Sequence, residues 1–173
     1  MILSKLPSVV QNEIFYKMEY SDLLLLSLAS KNIKKLIKLS QTRRFKSIGY
    51  IVYGCTSEPY LLYIRNKHGV DFILKIAQHE EYDKYFCSIK DFQFDVSGKI
   101  LDFRLCYQNQ IPCPVVFFHP QEKKTVINSM HNYLFDFFGS TVEYHWKSAS
   151  YYEFHIPQLR NLSACSITLG THL

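Results

Sequence analysis

The hydrophobic period of this chain changes from helical to two near residue 48, and that switch restricts its fold more than any other feature. Before it, apolar residues recur at about every fourth position. After Leu6-Pro7 they fall at Val10, Ile14 and Met18, with Phe15 beside Ile14, which predicts a helix with Pro7 in its first turn. Ser21 or Asp22 is expected to cap a second helix through Leu23, Leu24, Leu25, Leu26 and Leu28. Ser30 is expected to cap a third, with Ile33, Leu36 and Ile37 on one face and Lys34, Lys35 and Lys38 toward solvent.

Beyond residue 48 the pattern is that of strands. Tyr60–Arg65 and Val70–Ala77 flank Asn66-Lys67-His68-Gly69, which reads as a hairpin turn. A second hairpin is expected at Ser97-Gly98, with Phe92, Phe94 and Val96 sharing a face before it. Leu101, Phe103, Leu105 and Tyr107 alternate with Asp102, Arg104 and Cys106 after it. Pro112, Pro114 and Pro120 bracket Val115–Phe118 and predict a brief strand or an edge strand there. One prominent helix is expected at about 121–138, striped by Val126, Ile127, Met130, Leu134, Phe137 and Phe138 and stopped by Gly139. Further strand-like pieces lie at Thr141–Trp146, Tyr151–Ile156 and Cys165–Leu169. The fold class read from this order is α+β: a three-helix module over 1–46, then an aromatic-rich, mostly antiparallel β domain over 47–173. The thirteen Tyr and thirteen Phe suit half-buried pleated surfaces.

The first forty residues carry more apolar surface than three short helices can hide. Leu23, Leu24, Leu25, Leu26 and Leu28 cannot all point one way on a helix, and a segment below about 40 residues buries too little to fold alone. The excess is covered either by the β-rich part or by another protein.

Several classes of function find no support. G-x-S-x-G, H-E-x-x-H, P-loop and G-x-G-x-x-G motifs are missing, so no enzyme, cofactor or metal is expected. The seven histidines (His68, His79, His119, His131, His145, His155 and His172) show no metal-ligand spacing with the cysteines. Cys106 and Cys113 surround Pro112 without a nucleophile signature, and the five cysteines, with Cys55, Cys87 and Cys165, form no disulfide framework. Asp91, Asp95 and Asp102 read as the solvent face of strands. No apolar run approaches the ~20 residues that span a bilayer, and the N-terminus is too polar for a signal peptide, so a cytosolic or nuclear location is expected.

Charge is uneven. Residues 1–46 hold nine Lys/Arg against three Asp/Glu, with a peak at KNIKKLIKLSQTRRFK (31–46), whereas 47–173 hold eleven against twelve. The basic run, ending near Arg43 and Arg44, could contact phosphates and leaves a nucleic-acid-binding module as the alternative function. Short Lys runs on helix faces are more often solvated.

The order of residues over 6–40 resembles an F-box. Leu6-Pro7 stands at its opening Leu-Pro. Ile14-Phe15 and Met18 stand at the apolar positions of its first helix, Asp22-Leu23-Leu24 at the acidic-Leu-Leu start of its second, and Ser27-Leu28-Ala29-Ser30-Lys31 at the segment running into its third. Ile33, where many F-boxes carry Trp, and Val9, where an acidic residue is common, resemble the nematode branch of the family. The resemblance implies docking on a Skp1-type adaptor, and through it a cullin, by Leu6, Pro7, Val10, Ile14, Phe15, Leu23, Leu24, Leu26 and Ile33, either as contacts or as support. It also implies an F-box-associated region at 47–173 that recruits an unidentified target protein for ubiquitination. Members of that branch are usually longer, so a shortened or truncated region is expected here.

Overall fold

The computed structural model describes residues 3–55, 59–66, 69–79, 91–108, 111–149 and 157–167. After a short 3-10 turn at Leu3–Lys5 come helices α1 (Ser8–Lys17), α2 (Tyr20–Ala29), α3 (Lys31–Ser40) and α4 (Thr42–Lys46). Strands β1 (Tyr50–Cys55), β2 (Tyr60–Asn66) and β3 (Gly69–Gln78) follow, then β4 (Asp91–Val96), β5 (Lys99–Gln108) and β6 (Ile111–Phe118). Helix α5 (Lys123–Phe138), β7 (Glu143–Ser148) and β8 (Leu162–Ile167) complete the described elements. The expected piece at Tyr151–Ile156, the centre of the turn at Lys67-His68 and Cys87 lie outside the described residues.

The strands form one sheet of order β4-β5-β6-β3-β2-β1-β7-β8. The pairs β1–β2, β2–β3, β4–β5 and β5–β6 are antiparallel, while β3–β6, β1–β7 and β7–β8 are parallel. The chain is therefore α+β, with three N-terminal helices followed by a mostly antiparallel sheet and a long helix. At the β4–β5 hairpin Ser97 and Gly98 both have positive φ, 54° and 86°, as the tightest two-residue turns require. Asp95 Oδ1 accepts the Gly98 N–H at 2.8 Å.

Strand β6 differs from the sequence expectation: it is eight residues long and lies inside the sheet, between β5 and β3. Its prolines are accommodated by register. Pro112 and Pro114 face Tyr107 and Leu105 of β5, two positions apart, so their missing N–H groups share one side. Pairing to β3 begins only at Val115, opposite Lys75, so both prolines lie before the segment of β6 that is paired on two sides.

The helices lie on one face of the sheet, and a single hydrophobic core joins them to it. Phe15, Tyr20, Leu23, Leu24, Ile37 and Phe45 from the N-terminal helices pack in the same cluster as Ile51, Tyr53, Leu62, Ile64, Leu74 and Ile76 of β1–β3. The inner side of α5 adds Val126, Met130, Leu134, Phe137 and Phe138. Phe45 stands edge-on to both Phe137 and Phe138, and Tyr20 edge-on to Phe138. The β-rich part thus covers much of the leucine excess. Ala77, Cys106, Val115 and Phe117, whose side chains alternate to the other face, make a small second cluster. Among the described residues no helix is long and apolar enough to cross a membrane.

A candidate docking face on the N-terminal helices

Helix α1 is turned differently from the reading of its stripe. Its buried residues are Gln11 and Phe15, four apart; of the expected stripe Val10 is exposed, Ile14 is half-buried and Met18 packs against the core. Two local bonds hold this rotation. Gln11 Nε2 donates to Leu6 O at 2.7 Å, fixing the chain leading into α1. At the other end Arg44 from α4 donates to the carbonyls of Met18, Phe15 and Tyr16 at 2.9, 3.2 and 3.3 Å. These are carbonyls of the last turn and exit of α1, where a cation also meets the negative end of the helix dipole. The same guanidinium sits 4.1 Å from the centroid of the Tyr20 ring. Arg44, a candidate phosphate contact in the basic run, is engaged within the chain.

The outward side of α1 carries Val9, Val10 and Tyr16 among the exposed polar residues Ser8, Asn12, Glu13 and Lys17. Val9 is 71% exposed, Tyr16 63% and Val10 42%, whereas Phe15 is 0% exposed. Pro7 is exposed beside them, and Leu6 and Ile14 are half-buried. Leu23 and Leu24 are completely buried in the chain's own core. Leu26 and Ile33 are partly buried against it. Of the nine residues singled out in the sequence, the structure leaves Pro7 and Val10 exposed, holds Leu6, Ile14, Leu26 and Ile33 half-buried, and buries Phe15, Leu23 and Leu24. Val9 and Tyr16 were not singled out. Their i, i+7 spacing was visible, but nothing in the sequence reported which side of α1 faces inward.

Capping also departs from expectation at α2. The helix begins at Tyr20 with Glu19 as its N-cap and no side-chain cap bond; Asp22 lies in its first turn, where a carboxylate complements the dipole. Ser30 caps α3 as its sequence suggests, its Oγ accepting the Ile33 N–H at 3.4 Å.

The basic side of α3 is partly fastened to α5. Lys34 and Lys38 each reach Asp136 at 2.7 Å, and the Lys34 ammonium lies 3.6 Å from the Tyr133 ring centroid. Burial alone would raise the Asp136 carboxyl, but the two lysine hydrogen bonds outweigh it and hold the group below its usual range. Beneath this clamp Ser27 Oγ donates to Leu24 O at 2.7 Å, so at its 3.0 Å contact with Tyr133 it accepts the phenol proton. Desolvation, partly offset by this bond, pushes the Tyr133 phenol up to about 12. Lys31, Lys35, Arg43 and Lys46 are exposed and make no ion pair among the described residues.

Residues 3–45, which span these helices, fit the family model described as F-box domain. The N-terminal segment is an F-box. No curated protein and no solved structure matches the chain. An F-box implies binding of a Skp1-type partner and a role as an adaptor in SCF-type ubiquitin ligases, subunits that are typically non-enzymatic. Helix α1 packs on α3 and sends Phe15 into the shared core.

Elsewhere the titratable residues read as structural. Cys106 and Cys113 are direct cross-strand partners, both buried, and burial pushes both thiols up. No group of three His, Cys, Asp or Glu that could hold a metal occurs among the described residues. Asp91 is held by Arg104, whose hydrogen bond at 2.7 Å lowers the carboxyl despite its exposure.

Proposed function

We propose that this chain is the target-recruiting subunit of a cullin-based ubiquitin ligase. Its F-box docks on a Skp1-type adaptor through Pro7, Val9, Val10, Ile14 and Tyr16, and 47–173 act as an F-box-associated region that holds the target in the cytosol or nucleus. The function is proximity: tethering raises the effective concentration of a target lysine near the ubiquitin-charged enzyme.

The observation that carries the docking half is the orientation of α1. Two valines and a tyrosine lie open on α1, among Asn12, Glu13 and Lys17, and large apolar side chains left exposed together favour a protein interface. Recruitment by 47–173 is supported by the shared core and the α3–α5 clamp, which give the sheet a fixed orientation relative to the F-box.

The test is co-expression with a Skp1-type adaptor followed by purification at high salt. A stable complex of the wild-type chain that is lost in Val10→Asp/Tyr16→Asp supports the reading. An unchanged complex in that double variant overturns the assigned face.

A further inference from the structure

The two edges of the sheet are built differently. At one end β4 places Asp91, Gln93 and Asp95 on one face, all exposed. An antiparallel pairing of β4 with a second β4 across Gln93 would set Asp91 against Asp95 of the other copy, and like charges directly opposite repel. At the other end β8 reads Leu162-Ser163-Ala164-Cys165-Ser166-Ile167, with no charge and no proline. Its residues 163–167 are exposed, Ile167 by 45%. The inner edge of β8 pairs with β7, and the outer edge makes no backbone bond among the described residues. An exposed, uncharged edge of this length is a template for another strand.

We propose that β8 pairs antiparallel with β8 of a second copy, joining two chains into one continuous sheet. The edge itself argues for this occupant. A strand without charge meets no repulsion from its own image, and it carries no charge by which to select a foreign strand. Pairing β8 with β8 also uses both open edges at once, so the assembly closes as a dimer.

The pleat fixes where the two-fold axis falls. Residues directly opposite in an antiparallel pair share a face, and faces alternate along a strand, so the axis passes through a residue and not between two. Pairing of β8 to β7 is regular from Ala164 onward, and Cys165 is the middle of the exposed run. Centred there, Cys165 faces its own copy and Ala164 faces Ser166. The axis is perpendicular to the sheet and keeps the helices of both copies on one side, so the dimer presents two F-boxes together. The contact is only about 20 Å long, and a dissociation constant in the micromolar range is expected.

The test is sedimentation equilibrium of the full chain over ~1 to ~100 μM, a range that brackets such a constant. A reductant is present throughout, so that no disulfide at the exposed Cys165 contributes. Wild type is expected to pass from monomer to dimer across the range. Ala164→Lys/Ser166→Lys sets like charges opposite each other from exposed positions, and is expected to weaken the dimer at least about tenfold with thermal melting unchanged. Ala164→Glu/Ser166→Glu is expected to do the same alone. An equimolar mixture of the two variants is expected to restore the dimer, because opposite charges then face each other.

A wild-type chain that stays monomeric over the whole range overturns the proposal, as does a dimer undiminished in both charged variants. Variants that are monomeric singly and remain so when mixed overturn it as well, since the loss then does not come from charges meeting across β8.

Discussion

The Tyr53 hydroxyl and His131 Nδ1 lie 3.1 Å apart in the core, joining β1 to α5. On the other side of the ring His131 Nε2 meets the carbonyl of Arg160 at 3.0 Å, and a carbonyl can only accept. The proton therefore sits on Nε2, and Nδ1 accepts from Tyr53. Burial of the ring, with the Arg160 charge adding to it and the carbonyl bond opposing it, lowers the imidazole from 6.5 to about 4.

This makes the fold acid-sensitive in a defined window. An unfolded His takes up its proton as pH falls through 6.5, while the folded one resists until about 4. The unfolded state thus binds more protons between these values, and stability falls as pH falls across them. The loss is on the order of 2–3 kcal/mol. Urea melts at about pH 7 and about pH 4.5 are expected to show it, and His131→Phe should flatten the dependence. An equally steep slope in that variant would place the sensitivity elsewhere.

The seam beneath the α3–α5 clamp separates two kinds of contact. Ser27→Ala is expected to cost about 1–3 kcal/mol, because the buried Tyr133 hydroxyl is left without an acceptor, and Tyr133→Phe only about 1 kcal/mol. Asp136→Asn, which removes a charge that is itself exposed, should cost under about 1 kcal/mol and less at high salt. Thermal melts of the three variants check the order. Asp136→Asn proving the costliest would contradict the assigned geometry.

Stability and docking should separate on α1 and α2. Leu24→Ala empties a fully buried site and is expected to cost about 2–5 kcal/mol, lowering the melting temperature before any effect on adaptor can be read. Val9→Asp/Tyr16→Ala alters exposed positions, so its melting should stay within about 0.5 kcal/mol of wild type while adaptor binding is lost. A charge pair such as Leu23→Asp/Leu26→Asp cannot serve this purpose, since Leu23 belongs to the core.

Because Phe15, Leu23, Leu24 and Phe45 share their core with β1–β3 and α5, a peptide of residues 1–46 alone should remain largely unfolded. Circular dichroism of that peptide decides the point. A cooperative melt would mean that the F-box is self-sufficient.

The elements were legible because they depend on local chemistry. Period, proline and glycine placed α1, α3, α5 and the β2–β3 and β4–β5 pairs, and Ser30 announced its cap. The order Leu6-Pro7 through Lys31 carried the F-box, since that domain is an ordered set of small local signals. The interior position of β6 was not legible: a proline reports a missing N–H but not which strands lie on either side, and only pairing with β5 and β3 reveals that. Glu19 was missed as a cap because no side-chain bond marks it.

The sequence by itself determined that this chain is α+β, that its first forty residues carry an apolar excess, and that their order is that of an F-box. Which leucines are interior and which face of α1 is open were decided by the tertiary structure alone. Side-chain direction on a helix is local, but burial depends on what lies opposite. Here Phe15, Leu23, Leu24 and Phe45 share one core with β1–β3 and α5, which come from residues distant in sequence, while Val9 and Tyr16 stay in solvent.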